Sequence, residues 1–102
     1  MPKKSVSDHA AVQRSSYSDG AGPLSGTIQV TFVNFTISRH KWTIIDLNDN
    51  ITKFDDFLDG KESVTLTLAL DGAFGNAAYK NEEDDSFTGA SLLTDGQEVL
   101  MT

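Results

Sequence analysis

The chain has 102 residues, a formal charge of −7 and no cysteine, which excludes a disulfide framework, a thiolate nucleophile and a cysteine-based zinc site. Residues 1–41 hold five basic and two acidic side chains, whereas residues 42–102 hold three basic and thirteen acidic ones. Because such an acidic surface repels phosphate backbones, the charge excludes nucleic acid as an expected partner.

The first 25 residues have the composition of a tail. Ser, Asp, Gly and Lys are frequent there, and the aliphatic residues are few. We therefore predict a flexible N-terminal tail or arm over residues 1–25 and one domain over residues 26–102. Two lysines near the start have no apolar segment behind them, so no secretory signal peptide is expected. The expected location is the cytoplasm, or the exterior by leaderless export.

From Gly26 onward, apolar and polar residues alternate as they do in half-buried strands. "TIQVTFV" (27–33) predicts the first strand and "KWTIIDLN" (41–48) the second. "ITKF" (51–54) predicts a short third strand, and "SVTLTLALD" (63–71) predicts a fourth with the strictest alternation. "AAYK" (77–80), "SFTGASLL" (86–93) and "EVLM" (98–101) predict the last short strands.

Turn-forming residues separate these strands at intervals of roughly ten residues. Asp-Gly recurs at 59–60, 71–72 and 95–96, and between apolar runs this pair is typical of a hairpin turn. The pattern predicts an all-β fold, an antiparallel and Greek-key-like β-sandwich of six to seven short strands. The predicted core consists of Ile28, Val30, Phe32, Trp42, Ile44, Val64, Leu66, Leu68, Leu70, Leu92 and Val99.

An acidic segment, "IIDLNDNITKFDDFLDGK" (44–61), is the candidate metal site. Its candidate ligands are Asp46, Asp49, Asp55 and Asp56, because Ca²⁺ prefers carboxylate and carbonyl oxygens. An EF-hand loop beginning at Asp46 is excluded, since it would have isoleucine at its sixth position and phenylalanine at its twelfth. A calcium site would require "DLNDN", "FDDFLDG" and "NEEDD" to converge at one end of the sandwich. The alternative, which we favour, is that these residues cap turns by bonding their own backbone; no other cofactor is expected.

A basic segment, "SRHKW" (38–42), is the candidate ligand-binding site. Arg39, His40, Lys41 and Trp42 combine positive charge with an aromatic ring, which suits an anionic group such as a phosphate head group or a sulfated sugar. The alternative is a solvated turn with Trp42 in the core, where a single tryptophan of a small β domain usually packs.

Neither a nucleophile elbow nor a phosphate-binding loop occurs in the sequence, so no enzymatic activity is expected. We expect a non-enzymatic binding or interaction module that presents acidic loops at one end to a carbohydrate, a protein or a cation. One alternative is a membrane- or lipid-interacting β-sandwich of the small toxin or lectin type, using Trp42 and the basic loop. Another is a structural subunit of an oligomer that uses the N-terminal arm.

Overall fold

The computed structural model describes residues 26–102, and the predicted tail over residues 1–25 lies outside them. Seven strands follow one another: β1 (Thr27–Asn34), β2 (His40–Asp46), β3 (Ile51–Leu58), β4 (Ser63–Ala69), β5 (Gly75–Asn81), β6 (Thr88–Leu93) and β7 (Glu98–Met101). Within this range no helix is long and apolar enough to cross a membrane. The prediction of an all-β fold is confirmed.

The seven strands form two sheets that enclose one core. One sheet has the strand order β4-β1-β7, and the other has the order β3-β2-β5-β6. Every neighbouring pair is antiparallel except β1 and β7, which are parallel. The predicted sandwich is confirmed. The arrangement is not fully antiparallel, because β1 and β7 run parallel. Because β1 and β7 are the first and last strands, no tight turn joins them and fixes their direction.

The three Asp-Gly pairs lie where the chain crosses from one sheet to the other. They join β3 to β4, β4 to β5 and β6 to β7. The two hairpins, β2–β3 and β5–β6, use other turn residues, so the hairpin prediction for Asp-Gly was wrong. A corner between sheets requires the same sharp reversal as a hairpin, and glycine supplies it through a positive φ of 69° at Gly72 and 86° at Gly96.

The buried side chains confirm most of the predicted core. Ile28, Val30, Phe32, Trp42, Ile44, Val64, Leu66 and Leu68 are buried, and Leu70 and Val99 pack partly buried against them. Leu92 is exposed instead, and Leu93 is buried in its place. The cause is a bulge in β6, where the register with β5 shifts and Leu92 takes a left-handed φ of 57°. A bulge reverses the alternation of side chains beyond it.

β4 offers a direct test of this core. Leu68→Ala is expected to lower the free energy of unfolding by about 2–5 kcal/mol, because it leaves a cavity among fully buried side chains. Thr65→Ala, on the opposite face, removes one hydroxyl contact of 2.8 Å with Thr31 and should cost about 1 kcal/mol or less. Urea unfolding of both variants measures the difference, and equal losses would contradict the assigned faces.

Candidate functional site

The connections between strands gather at two opposite ends of the sandwich. We call one the loop end, which holds residues 35–39, 59–62 and 82–87, and the other the aspartate end, which holds residues 47–50, 70–74 and 94–97. The strand register separates them. His40 pairs with Leu58 beside the loop end, whereas Asp46 pairs with Ile51 and Ala77 beside the aspartate end.

The acidic segments that a calcium site would require do not converge. "DLNDN" lies at the aspartate end and "NEEDD" lies at the loop end. "FDDFLDG" belongs mostly to strand β3, which extends to Leu58 and not only to Phe54 as the sequence predicts. Asp55 and Asp56 pair with Thr43 and Trp42 in the ladder between β2 and β3. The four predicted metal ligands are therefore spread over two strands and the turn between them, and do not surround one point.

Asp46 has a structural role at the aspartate end. Its side chain is buried, with 1% of the residue exposed. One carboxylate oxygen accepts hydrogen bonds from the amides of Asn48 (3.0 Å) and Asp49 (3.4 Å), and the other accepts one from the amide of Ala69 (2.9 Å). The carboxylate thus caps its own turn and ties β2 to β4 in the other sheet. Its predicted role as a metal ligand is not supported, because backbone amides occupy both oxygens.

Trp42 lies in the core and does not reach the surface. None of its side chain is exposed, and its ring centroid lies 6.1 Å from that of His40 and 6.1 Å from that of Tyr79. A ligand cannot contact it in this structure, so its inclusion in the ligand-binding site is corrected. The other three residues of the basic segment, Arg39, His40 and Lys41, do reach the surface at the loop end.

The loop end carries a surface that we call the apolar-basic patch: Phe35, Ile37, Arg39, Phe57 and Lys61. Among residues 26–102, Ile37 is the most exposed large apolar residue, at 87%, and both phenylalanines are exposed. The Arg39 guanidinium lies 4.6 Å from the centre of the Phe57 ring, and the Lys61 ammonium lies 4.1 Å from that of Phe35. These are cation–π distances. The sequence indicates the positive charge of this patch. The only sign of its apolar part is that two apolar residues, Phe35 and Ile37, follow the end of the first strand.

A buried asparagine holds the loop that carries Ile37. The Asn34 amide nitrogen lies within hydrogen-bond distance of the carbonyls of Ser38 (2.8 Å), Leu58 (3.0 Å) and Asp59 (3.0 Å), so its two N–H groups donate to three acceptors, with one N–H shared between two of them. Its carbonyl oxygen accepts a hydrogen bond from the amide of Thr36 (3.1 Å). One side chain therefore fixes both ends of the β1–β2 loop to the end of β3.

Gly60 allows the same loop to lie against the β3–β4 turn. A Cβ atom at this position would lie 2.5 Å from the carbonyl oxygen of Ile37. Only glycine permits such a close approach of two backbones. The Ile37 backbone is therefore pressed against the turn, while its side chain stays in solvent.

The aspartate end carries an apolar surface of opposite charge, which we call the apolar-acidic patch: Leu47, Asp49, Ile51, Asp71, Phe74 and Asp95. Its leucine, isoleucine and phenylalanine are all exposed. The connections at this end contain three exposed aspartates and no lysine or arginine. The two patches therefore present apolar groups beside charged side chains of opposite sign. The loop end as a whole is nevertheless acidic, because Asp59, Glu62 and the four acidic residues at 82–85 also lie in its connections.

A third group of side chains lies at the loop end, on the other side of His40 from the patch. His40 Nδ1 lies 2.7 Å from Glu82 Oε2, and the amide of Lys41 donates to the other oxygen of Glu82. These two hydrogen bonds, that of His40 first, lower the pKa of Glu82. Glu83 completes a set of three, in which one potential ligand atom from each residue lies within 4.8 Å of the others. No other such set of His, Cys, Asp or Glu occurs among residues 26–102.

Sequence reasoning could not find this third group. Forty-two positions separate His40 from Glu82, and only the pairing of β2 with β5 brings them together. Comparison with known proteins adds no relative, since no protein family, no curated protein and no solved structure matches the chain. Function is therefore inferred from the two ends and from the group around His40.

Proposed function

We propose that the protein is a non-enzymatic interaction module that assembles head to tail with copies of itself. In this arrangement the apolar-basic patch of one copy contacts the apolar-acidic patch of the next. The observation that supports it is that one patch sets two basic side chains beside exposed apolar groups and the other sets three aspartates beside exposed apolar groups. This proposal keeps the expectation of acidic loops presented at one end, and it names a second copy as their partner.

Apolar contact supplies the attraction. In the proposed contact, the exposed Ile37, Phe35 and Phe57 of one copy lie against the exposed Leu47, Ile51 and Phe74 of the next copy. Full burial of such a side chain contributes about 1.5–3 kcal/mol, but loss of translational and rotational freedom offsets much of the sum. We therefore expect weak and reversible assembly that depends on protein concentration.

Charge sets the direction of the contact. Arg39 and Lys61 would approach Asp49, Asp71 and Asp95 of the next copy. Arg39 lies 3.9 Å from Asp59 of its own chain, but such an exposed pair is weak and can exchange for a new partner. Because salt screens charges over about 10 Å at 0.1 M, added salt should weaken the assembly.

The acidic turn over residues 82–87 limits where the next copy can lie. Glu82, Glu83, Asp84 and Asp85 belong to the loop end but lie beyond His40. They repel a second acidic surface, so the contact is confined to the side of the loop end that holds Ile37. A contact between two different patches is heterologous, and it produces rings or open chains rather than closed dimers.

Sedimentation velocity of the full chain tests this proposal. The weight-average sedimentation coefficient should rise between about 5 and 500 µM protein and should rise less in about 0.5 M NaCl. Ile37→Glu should remain monomeric, because it places a charge in the apolar contact. Leu100→Glu is the control: Leu100 is an apolar residue of β7 that belongs to neither patch and is 47% exposed, against 87% for Ile37, and this variant should assemble like the unmodified chain.

Two results would contradict head-to-tail assembly. One is an unmodified chain that stays monomeric at every concentration. The other is loss of assembly in Leu100→Glu but not in Ile37→Glu. If the chain is monomeric and instead sediments with phosphatidylcholine vesicles in a manner that requires Ile37, the apolar-basic patch serves a membrane, and the self-assembly proposal fails.

A further inference from the structure

We propose that His40, Glu82 and Glu83 form a binding site for a divalent transition-metal ion, such as Zn²⁺ or Ni²⁺. An imidazole nitrogen and two carboxylates are ligands that these ions accept. The three side chains come from the start of β2 and from the turn after β5. This site lies apart from the apolar-basic patch, and its occupation does not depend on self-assembly.

The distances suit an ion after a small adjustment. The three ligand atoms lie within 4.8 Å of one another, whereas ligands of one zinc ion, with bonds of about 2.0–2.2 Å, lie roughly 3–4 Å apart. Glu83 is exposed, so rotation of its side chain can move its carboxylate about 1 Å closer to the other two ligands at little energetic cost. The ion would take the place of the hydrogen bond that now joins His40 Nδ1 to Glu82 Oε2.

Two of the three ligands are already held in position. The amide of Lys41 donates to Glu82 Oε1, which orients this carboxylate toward His40. The His40 ring lies edge-on to Trp42, with its plane at 83° to the indole, and only 14% of its side chain is exposed. Partners outside the coordination sphere fix ligand orientation in this way in metal sites. Three protein ligands leave a fourth position for water or for a side chain of a partner.

The nitrogen ligand distinguishes this site from the calcium site that the sequence suggested. Ca²⁺ takes oxygen ligands, whereas imidazole suits Zn²⁺, Ni²⁺ and Cu²⁺. The selectivity expected here is therefore Ni²⁺ or Zn²⁺ over Ca²⁺. A calcium titration is a useful comparison, since an adventitious acidic surface would bind Ca²⁺ as well as it binds Ni²⁺.

Fluorescence of Trp42 provides the test, because it is the only tryptophan of the chain and its ring centroid lies 6.1 Å from His40. Open-shell Ni²⁺ bound at this distance should quench the emission. Titration of the full chain with NiCl₂ should give saturable quenching that Zn²⁺ reverses and Ca²⁺ does not. His40→Gln should weaken Ni²⁺ binding at least tenfold, because even the loss of a partner outside the coordination sphere typically costs about 10–100-fold in metal affinity.

Matched variants keep the test decisive. His9→Gln removes the other histidine of the chain and should leave the titration unchanged. Glu83→Gln changes an exposed residue, so it should leave the stability of the fold unchanged. It should weaken Ni²⁺ binding severalfold, which keeps the test valid even if His40→Gln proves unstable. Repeating the titration with Ile37→Glu separates metal binding from assembly. Absence of saturable quenching, quenching that survives both His40→Gln and Glu83→Gln, or quenching lost with His9→Gln would overturn the proposal.

Discussion

Asp46→Ala is expected to lower the free energy of unfolding by about 3 kcal/mol or more. The carboxylate accepts hydrogen bonds from three backbone amides, at Asn48, Asp49 and Ala69. Removing a buried acceptor leaves its donors unsatisfied, and hydrogen bonds to a charged group contribute about 1.5–3 kcal/mol each. The variant also loses the one side chain that ties β2 to the amide of Ala69 at the end of β4. Urea unfolding followed by circular dichroism measures the loss.

Two control variants test whether the stability depends on the Asp46 carboxylate itself or on any carboxylate of the same turn. Asp46→Asn keeps one acceptor oxygen but turns an amide group toward backbone donors, so it should also destabilise, by about half as much or more. Asp49→Ala changes an exposed carboxylate of the same turn and should stay within about 0.5 kcal/mol. Similar losses for Asp46→Ala and Asp49→Ala would show that the carboxylate of Asp46 is not the cap.

Asn34→Ala is expected to have an effect of similar size, about 3 kcal/mol, at the loop end. Its two N–H groups donate to three carbonyls, with one N–H shared, in the β1–β2 loop and at the end of β3. Asn34 is fully buried, so water cannot replace these bonds without opening the loop. The variant should also weaken self-assembly, because the loop that presents Ile37 is no longer fixed. Thermal unfolding and sedimentation of the same samples measure both effects.

An isosteric variant, Asn34→Asp, tests whether the side chain at position 34 must donate these hydrogen bonds. Asn34→Asp keeps the oxygen that accepts from the Thr36 amide but cannot donate to three carbonyls, and it buries a charge. It should therefore destabilise at least as much as Asn34→Ala. Thr36→Val leaves all three bonds from the Asn34 amide group in place and should cost about 1 kcal/mol. A stable Asn34→Asp variant would show that the asparagine does not hold the loop.

The fold class and most of the core follow from the alternation of side chains. β1, β2 and β4 are buried on one face, so a period of two is visible in their sequences. β3 was predicted to end at Phe54 but runs to Leu58, because Asp55 and Asp56 interrupt the apolar pattern. β3 is an edge strand, and an edge strand tolerates charged residues within it.

Turn chemistry predicts that the chain reverses, but it does not predict which sheet the next strand joins. Asp59-Gly60, Asp71-Gly72 and Asp95-Gly96 were all correctly identified as turns, and all were wrongly assigned to hairpins. The next strand joins the sheet that its apolar face can help to cover, which depends on the whole core rather than on two residues.

The candidate sites were less predictable than the fold. The sequence shows that Asp46 and Asp49 lie close along the chain, but not that one is buried and bonded while the other is exposed. It likewise shows Trp42 two residues from His40, without showing that Trp42 is fully buried while His40, on the same face, reaches Glu82. Residues that meet on neighbouring strands far apart in sequence, such as His40 with Glu82, are recognised as neighbours only when the order of the strands in the sheet is known.

Mixing two variants that cannot assemble alone tests the complementarity of the two ends most directly. Ile37→Glu blocks the loop end and Leu47→Glu blocks the aspartate end, so each variant should sediment as a monomer. Each variant nevertheless keeps one intact patch, and the two intact patches are complementary. An equimolar mixture should therefore form heterodimers and nothing larger. A mixture that remains monomeric, or a Leu47→Glu variant that assembles as fully as the unmodified chain, would contradict head-to-tail contact between the two ends.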